Sequence, residues 1–168
     1  MQNIGKGSEA KMKLSTKGRY GIKAMVDLAL EYESGNYIST ATLAKMQDIS
    51  EPYLERQMAS LRKAGLVEAA RGVFGGSRLS RAPEEITVGE ILRALEGSTS
   101  ILDCVDGSVM KCCSNACSCS ARPLWLKLQS RIDEVLNTTT LRDMAEDYGA
   151  QIEFINSKKG DTDNASIS

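Results

Sequence analysis

The sequence predicts a mainly α fold with a small β-hairpin wing. Three observations carry this expectation. Two short helical patterns are joined by the tight connection Asp48-Ile49. Beyond them a glycine-rich tip, Gly72-Val73-Phe74-Gly75-Gly76, separates two short strand-like runs. A proline-headed amphipathic segment follows further on. Helix, tight turn, helix and hairpin in that order describe a winged helix–turn–helix DNA-binding domain, here followed by a long dimerisation helix.

Residues 1–11 show no apolar periodicity and are expected to form a disordered extension. From Thr16 to Tyr32, Ile22, Met25, Val26, Ala29 and Leu30 recur at three- and four-residue spacing, which makes one apolar stripe of a helix. A shorter helix is expected from Thr40 to Gln47, with Leu43, Ala44 and Met46 as its apolar positions. Ser50 is placed to cap a third helix, with Pro52 tolerated in its first turn and Gly65 ending it. On that helix Leu54, Met58 and Leu61 share one face, while Glu55, Arg56, Ala59, Arg62 and Lys63 point the other way. Residues 66–71 and 77–79 pair around the glycine tip. A helix from about Thr87 to Leu95, closed by Gly97, completes a domain over residues 12–97.

Residues 98–122 form a cysteine-rich loop whose Gly, Ser and Asn content excludes a regular core element. Pro123 opens a long helix on which Trp125, Leu128, Ile132 and Val135 repeat at near-heptad spacing. Such a stripe serves a dimer interface or folds back on its own domain. A short helix over 141–147 is expected next, within a C-terminal unit spanning 123–155. The polar residues 156–168 are expected to be a disordered tail.

At 168 residues, 42 % apolar and 26 % charged, the chain suits one soluble domain with an arm. Its apolar runs are too short to span a bilayer, and its first ten residues lack the apolar core of a secretion signal, so a cytoplasmic location is expected. The net charge of −1 conceals a polarity. Residues 12–81 carry 11 Lys and Arg against 7 Asp and Glu, whereas residues 82–168 carry 8 against 14. A basic front half points to an anionic partner for that half.

All five cysteines lie between Cys104 and Cys119, and there is no histidine. A polar loop cannot bury five sulfurs, so the thiols are expected to gather a soft metal or an iron–sulfur cluster. Structural zinc and a metal-free thiol–disulfide switch stay open alternatives. The adjacent Cys112 and Cys113 are poor simultaneous ligands to one small ion. An enzyme is disfavoured: no histidine base exists, and no Cys-x-x-Cys sits on a βαβ pattern.

The segments LSTKGRYGIKAMVDLAL, ISEPYLERQMASLRKAGLVEAARGVFGG and ITVGEILRALEG resemble the winged-helix regulators typified by the iron–sulfur regulator IscR and the nitric-oxide sensor NsrR. The resemblance covers about residues 12–148 and implies a homodimer that grips a palindromic operator in double-stranded promoter DNA, in most cases as a repressor. It implies that Glu55 presents a carboxylate to base edges, where it accepts from a cytosine amino group. Arg71 matches the cation that the wing puts into the minor groove. Lys17, Arg19, Arg56 and Arg62 fall among the groups that hold phosphates and set register, and Ser50 and Tyr53 are expected among the DNA-binding residues. Ser77 departs from the pattern, since many relatives carry tyrosine after the two glycines.

For the cysteines the resemblance implies three ligands. Cys119 stands six residues before Trp125, as the last ligand does in such proteins. Five intervening residues then lead back to Cys113, and eight more to Cys104. Cys112 is an alternate to Cys113, and Cys117 is a spare thiolate. Either a 2Fe–2S or a 4Fe–4S cluster suits these donors, the IscR-like resemblance favouring 2Fe–2S. Some relatives take their fourth ligand from a histidine where this chain has Arg122. Others take it from an acidic residue of the partner subunit, where this chain has Arg19. Both solutions fail here, and an all-thiolate site is the simplest replacement.

Overall fold

The computed structural model describes residues 15–72, 75–102, 105 and 119–163. The first helix, α1 (Thr16–Leu30), starts where Ser15 turns extended and its hydroxyl accepts the Gly18 N–H. α2 (Thr40–Met46) starts in the same way at Ser39, which accepts from Thr42. Its end makes the tight turn. Asp48 adopts φ 53°, Asp48 N–H donates to Lys45 at 3.3 Å, and Ile49 N–H donates to Ala44 at 3.0 Å. These paired bonds satisfy the orphan carbonyls of α2 and let Ile49 pack on the core. α3 (Glu51–Lys63) follows at once. Gly65, at φ 73°, closes α3 with the same pair of bonds, Gly65 to Arg62 and Leu66 to Leu61.

The chain then enters an antiparallel hairpin, β1 (Val67–Ala70) and β2 (Gly76–Leu79), in which Val67 faces Leu79 and Ala70 faces Gly76. Ser77 exchanges both backbone bonds with Ile38, at 2.8 and 3.0 Å, which fixes the hairpin to the segment ahead of α2. The small Ser77 side chain is buried there. α4 (Val88–Glu96) opens on a reciprocal capping box between Thr87 and Glu90. Burial pushes the Glu90 carboxyl up, but the Thr87 backbone N–H and the Arg81 guanidinium outweigh it and hold the group below its usual range.

Met25, Leu43, Leu54, Met58, Leu61, Ile86 and Ile91 form the core where α1, α2, α3 and α4 converge. α5 (Arg122–Thr138) and α6 (Leu141–Asp163) attach through their shared corner. There Leu141 is fully buried, its N–H donates to Ile86, and Val88 N–H donates to Thr139.

Four expectations need correction. Leu30 does not join the buried stripe of α1 and is 45 % exposed, because it is the last residue of the helix and lies beyond the core. Ser50 occupies the N-cap position of α3 without a side-chain cap bond. Pro52 offers no N–H, and the Tyr53 N–H goes to the Ser50 carbonyl instead. The last helix does not stop near Asp147 but continues to Asp163, through residues expected to be a disordered tail. No proline interrupts it, and Gly149 costs a helix only about 1 kcal/mol. The stripe on α5 is divided, with Trp125 and Ile132 half-buried while Leu128 and Val135 are exposed. The expected extension over 1–11 lies outside the described residues, as does the cysteine loop apart from 98–102, 105 and 119–122.

Gln57 is 1 % exposed, and neither its amide oxygen nor its nitrogen has a hydrogen-bond partner among the described residues. A buried orphan amide costs about 1–3 kcal/mol. Gln57→Leu is therefore expected to raise the denaturation midpoint, by about 2–4 °C for each kcal/mol recovered. A lowered midpoint would show that the amide is satisfied after all.

Candidate nucleic-acid interface and cysteine segment

The outward face of α3 presents what the sequence led one to expect. Ser50, Glu55, Arg56 and Arg62 are exposed, and Tyr53 is half-buried. Ser50 makes no cap bond, and its hydroxyl has no hydrogen-bond partner among the described residues. Among the described residues the Glu55 carboxylate forms no ion pair, which leaves an exposed acceptor on α3. The Arg56 guanidinium lies over the Tyr53 ring, 6.0 Å from its centroid. Tyr53 in turn meets Tyr20 of α1 edge to face, with centroids 6.4 Å apart and planes at 89°. Lys23 sits 5.7 Å from the Tyr20 centroid. Tyr20 and Lys23 were missed in the sequence, where their three-residue spacing on α1 was the available signal.

Arg71 is exposed and opens the wing tip, followed by Gly72 at φ 108°. The RGxxGG pattern has a steric cause. A Cβ on Gly75 would stand 2.4 Å from the Ala70 carbonyl oxygen, and one on Gly76 would stand 2.4 Å from that of Ile38. Behind the tip Arg78 and the Tyr37 hydroxyl both donate to Glu68, holding its carboxyl below the usual range. Arg78 is thus spent on the wing's own scaffold, with its guanidinium 4.6 Å from the Tyr37 ring centroid.

Two expected phosphate contacts separate here. Arg19 is exposed, and the one hydrogen bond of its side chain among the described residues is a 3.5 Å contact to the Thr16 hydroxyl. The Lys17 ammonium donates to the Leu95 carbonyl at the end of α4, so the fold itself occupies it.

Of the cysteines only Cys119 is described; Cys104, Cys112, Cys113 and Cys117 lie outside the described residues. Cys119 is exposed and free, and its carbonyl accepts the Arg122 N–H at 3.2 Å as α5 begins. The other end of the segment is anchored too. Ile101 N–H donates at 2.8 Å to the buried Gln129 of α5, whose amide nitrogen donates to Asp133. Among the described residues no three Cys, Asp or Glu side chains converge as a metal site. Nor is any helix there long and apolar enough to cross a membrane.

A family model described as Rrf2, iron-dependent transcriptional regulator, matches residues 14–147. The chain is 39 % identical over 134 residues to the HTH-type transcriptional regulator CymR of Bacillus subtilis, covering 80 % of this chain and 90 % of that one. It is 43 % identical over 134 residues to the HTH-type transcriptional regulator IscR of Cereibacter sphaeroides, covering 79 % and 86 %. Among solved structures, B. subtilis CymR, titled the global cysteine regulator, superposes with a TM-score of 0.67 at 38 % identity, over 81 % of this chain and 98 % of that one. IscR of T. potens superposes with a TM-score of 0.64 at 40 % identity, over 84 % and 91 %.

Lys17→Met is expected to cost about 0.3–1 kcal/mol in chemical denaturation, the worth of a cation at a helix C-terminus. The same change should leave the slope of log affinity for DNA against log salt unaltered. A slope shallower by about 1 would instead put the ammonium on a phosphate.

Proposed function

The chain belongs to the Rrf2 family of transcriptional regulators, and from that premise we propose a homodimeric repressor whose grip on a palindromic operator is set by an iron–sulfur cluster. It is a DNA-binding regulator and not an enzyme. The observation that carries the DNA reading is the outward face of α3, where Glu55, without an ion pair among the described residues, shares the helix with the exposed Arg56, Arg62 and Ser50. A carboxylate facing a polyanion is repelled unless it meets a donor on a base, and the cytosine amino group is such a donor. Arg56, Arg62 and Arg19 would fix register on phosphates, and Arg71 would enter the minor groove from the wing tip. The apolar side chains left exposed on α5 (Leu124, Leu128 and Val135) support a dimer built on that helix.

For the cluster, Cys104, Cys113 and Cys119 would supply thiolates, with Cys112 or Cys117 completing an all-sulfur set. The donors fit: Cys119 is exposed and unbridged, and thiolates are the ligands that iron–sulfur clusters use. When bound, such a group supplies reversible gain and loss of electrons and sensitivity to oxidants. The protein's part is to hold both ends of the segment against α5, at Ile101 and at Cys119. A second reading has its own support. The CymR relative is titled a cysteine regulator, which favours a metal-free thiol or zinc-containing regulator of the same fold.

Anaerobic purification separates the two. The cluster reading expects a brown protein absorbing over roughly 300–500 nm, with iron and sulfide in equal amounts. Colourless protein carrying stoichiometric zinc, or no metal, selects the second. For the DNA reading, Glu55→Ala should relax base preference at one symmetric pair of operator positions and cost about 1–3 kcal/mol there. Unchanged preference at every position would contradict it.

A further inference from the structure

α1 and α4 exchange charges at their ends. α1 has no acidic residue in its own first turn. The negative charge that a helix N-terminus favours comes instead from Glu96, the last residue of α4. The Glu96 carboxylate accepts the Gly18 backbone N–H at 3.0 Å and the Ser15 hydroxyl on the same oxygen. In return Lys17 of α1 donates to the Leu95 carbonyl, among the last orphan acceptors of α4. The two helices approach closely enough for this because α1 offers glycines. A Cβ on Gly18 would stand 2.7 Å from the Glu96 carboxylate, and one on Gly21 would stand 2.2 Å from the Leu95 side chain.

α1 does not touch DNA bases in this reading, yet it carries Tyr20 two residues beyond Gly18. Tyr20 bears edge-on against Tyr53, in the first turn of α3 and two residues before Glu55. Whatever fixes α1 along its axis therefore fixes the wall against which the reading end of α3 rests. Gly97 directly follows Glu96, and the cysteine segment starts there.

We propose that Glu96 is a positioning residue for operator recognition, acting through α1 and the Tyr20–Tyr53 contact on the first turn of α3. The proposal rests on α3 being the helix that reads DNA, which the Glu55→Ala base-preference measurement tests by itself.

The experiment is a double-mutant cycle on the full chain, read in operator affinity, in affinity for DNA of unrelated sequence and in thermal midpoint. Glu96→Ala and Tyr20→Leu are each expected to weaken operator binding about 5–20-fold, with binding to unrelated DNA unchanged within about 2-fold. The double variant should bind no more than about 2-fold worse than the weaker single variant, because both changes release the same contact. Glu96→Gln, which keeps an acceptor but loses the charge, should fall between wild type and Glu96→Ala. If Glu96→Ala does not fold, the cycle is run with Glu96→Gln. Multiplying losses in the double variant, equal losses on operator and unrelated DNA, or no loss on the operator would each overturn the proposal.

Discussion

The close seating of α1 on α4 is the constraint from which the rest of the molecule follows. Two glycines on one face of α1 let the side chains of Leu95 and Glu96 come so near that a Cβ there would have to displace them. That face then cannot be apolar in the usual way. It carries Gly18 and Gly21 where a leucine would be expected, and the hydrogen bonds of Glu96 and Lys17 supply specificity that apolar contact alone lacks. Around this seat, α3 packs Leu54, Met58 and Leu61 inward, and the orphan amide of Gln57 lies close to Gly21. The junction of α1, α3 and α4 is thus geometrically strict but not maximally stable. That suits a domain whose reading helix must hold a defined aim.

Much of the architecture was legible because its signals are local. Apolar spacing announces α1, α2 and α4, and Gly65 ends α3 through a left-handed residue. The glycine tip of the wing was readable for the same reason. What escaped depends on partners distant in sequence. No periodicity tells that Lys17 donates to a carbonyl 78 residues away. Ser50 was read as a capping side chain, yet the proline two residues on removes one donor it would have met. Leu30 fits the stripe by spacing but lies at the end of α1, beyond the core. The length of α6 was underread because polar composition was taken for disorder, while nothing in 141–163 forbids a helix.

The candidate site divides along the same line. The exposed face of α3 follows from amphipathicity and the place of Arg71 from the family resemblance, and both are exposed in the structure. The aromatic support behind them, Tyr20 against Tyr53 with Lys23 and Arg56 on the rings, needs the third dimension. For the cysteine segment, the described residues give its two anchors. Gln129 holds Ile101, and Cys119 leads into α5. Between them lies the chemistry that separates the IscR-like from the CymR-like reading, reached from the DNA-binding domain through Gly97 at the end of α4 and held on α5, whose Asn137 accepts from Arg93 of α4.

The central claim is that occupation of the cysteine segment changes how tightly the winged helix holds DNA. It is tested most directly by titrating one anaerobic preparation against its operator before chelation, after chelation, and after reconstitution with iron and sulfide. Operator affinity is expected to shift by about 5-fold or more on chelation and to return on reconstitution, while affinity for unrelated DNA stays constant. Identical operator affinity in all three states would contradict it.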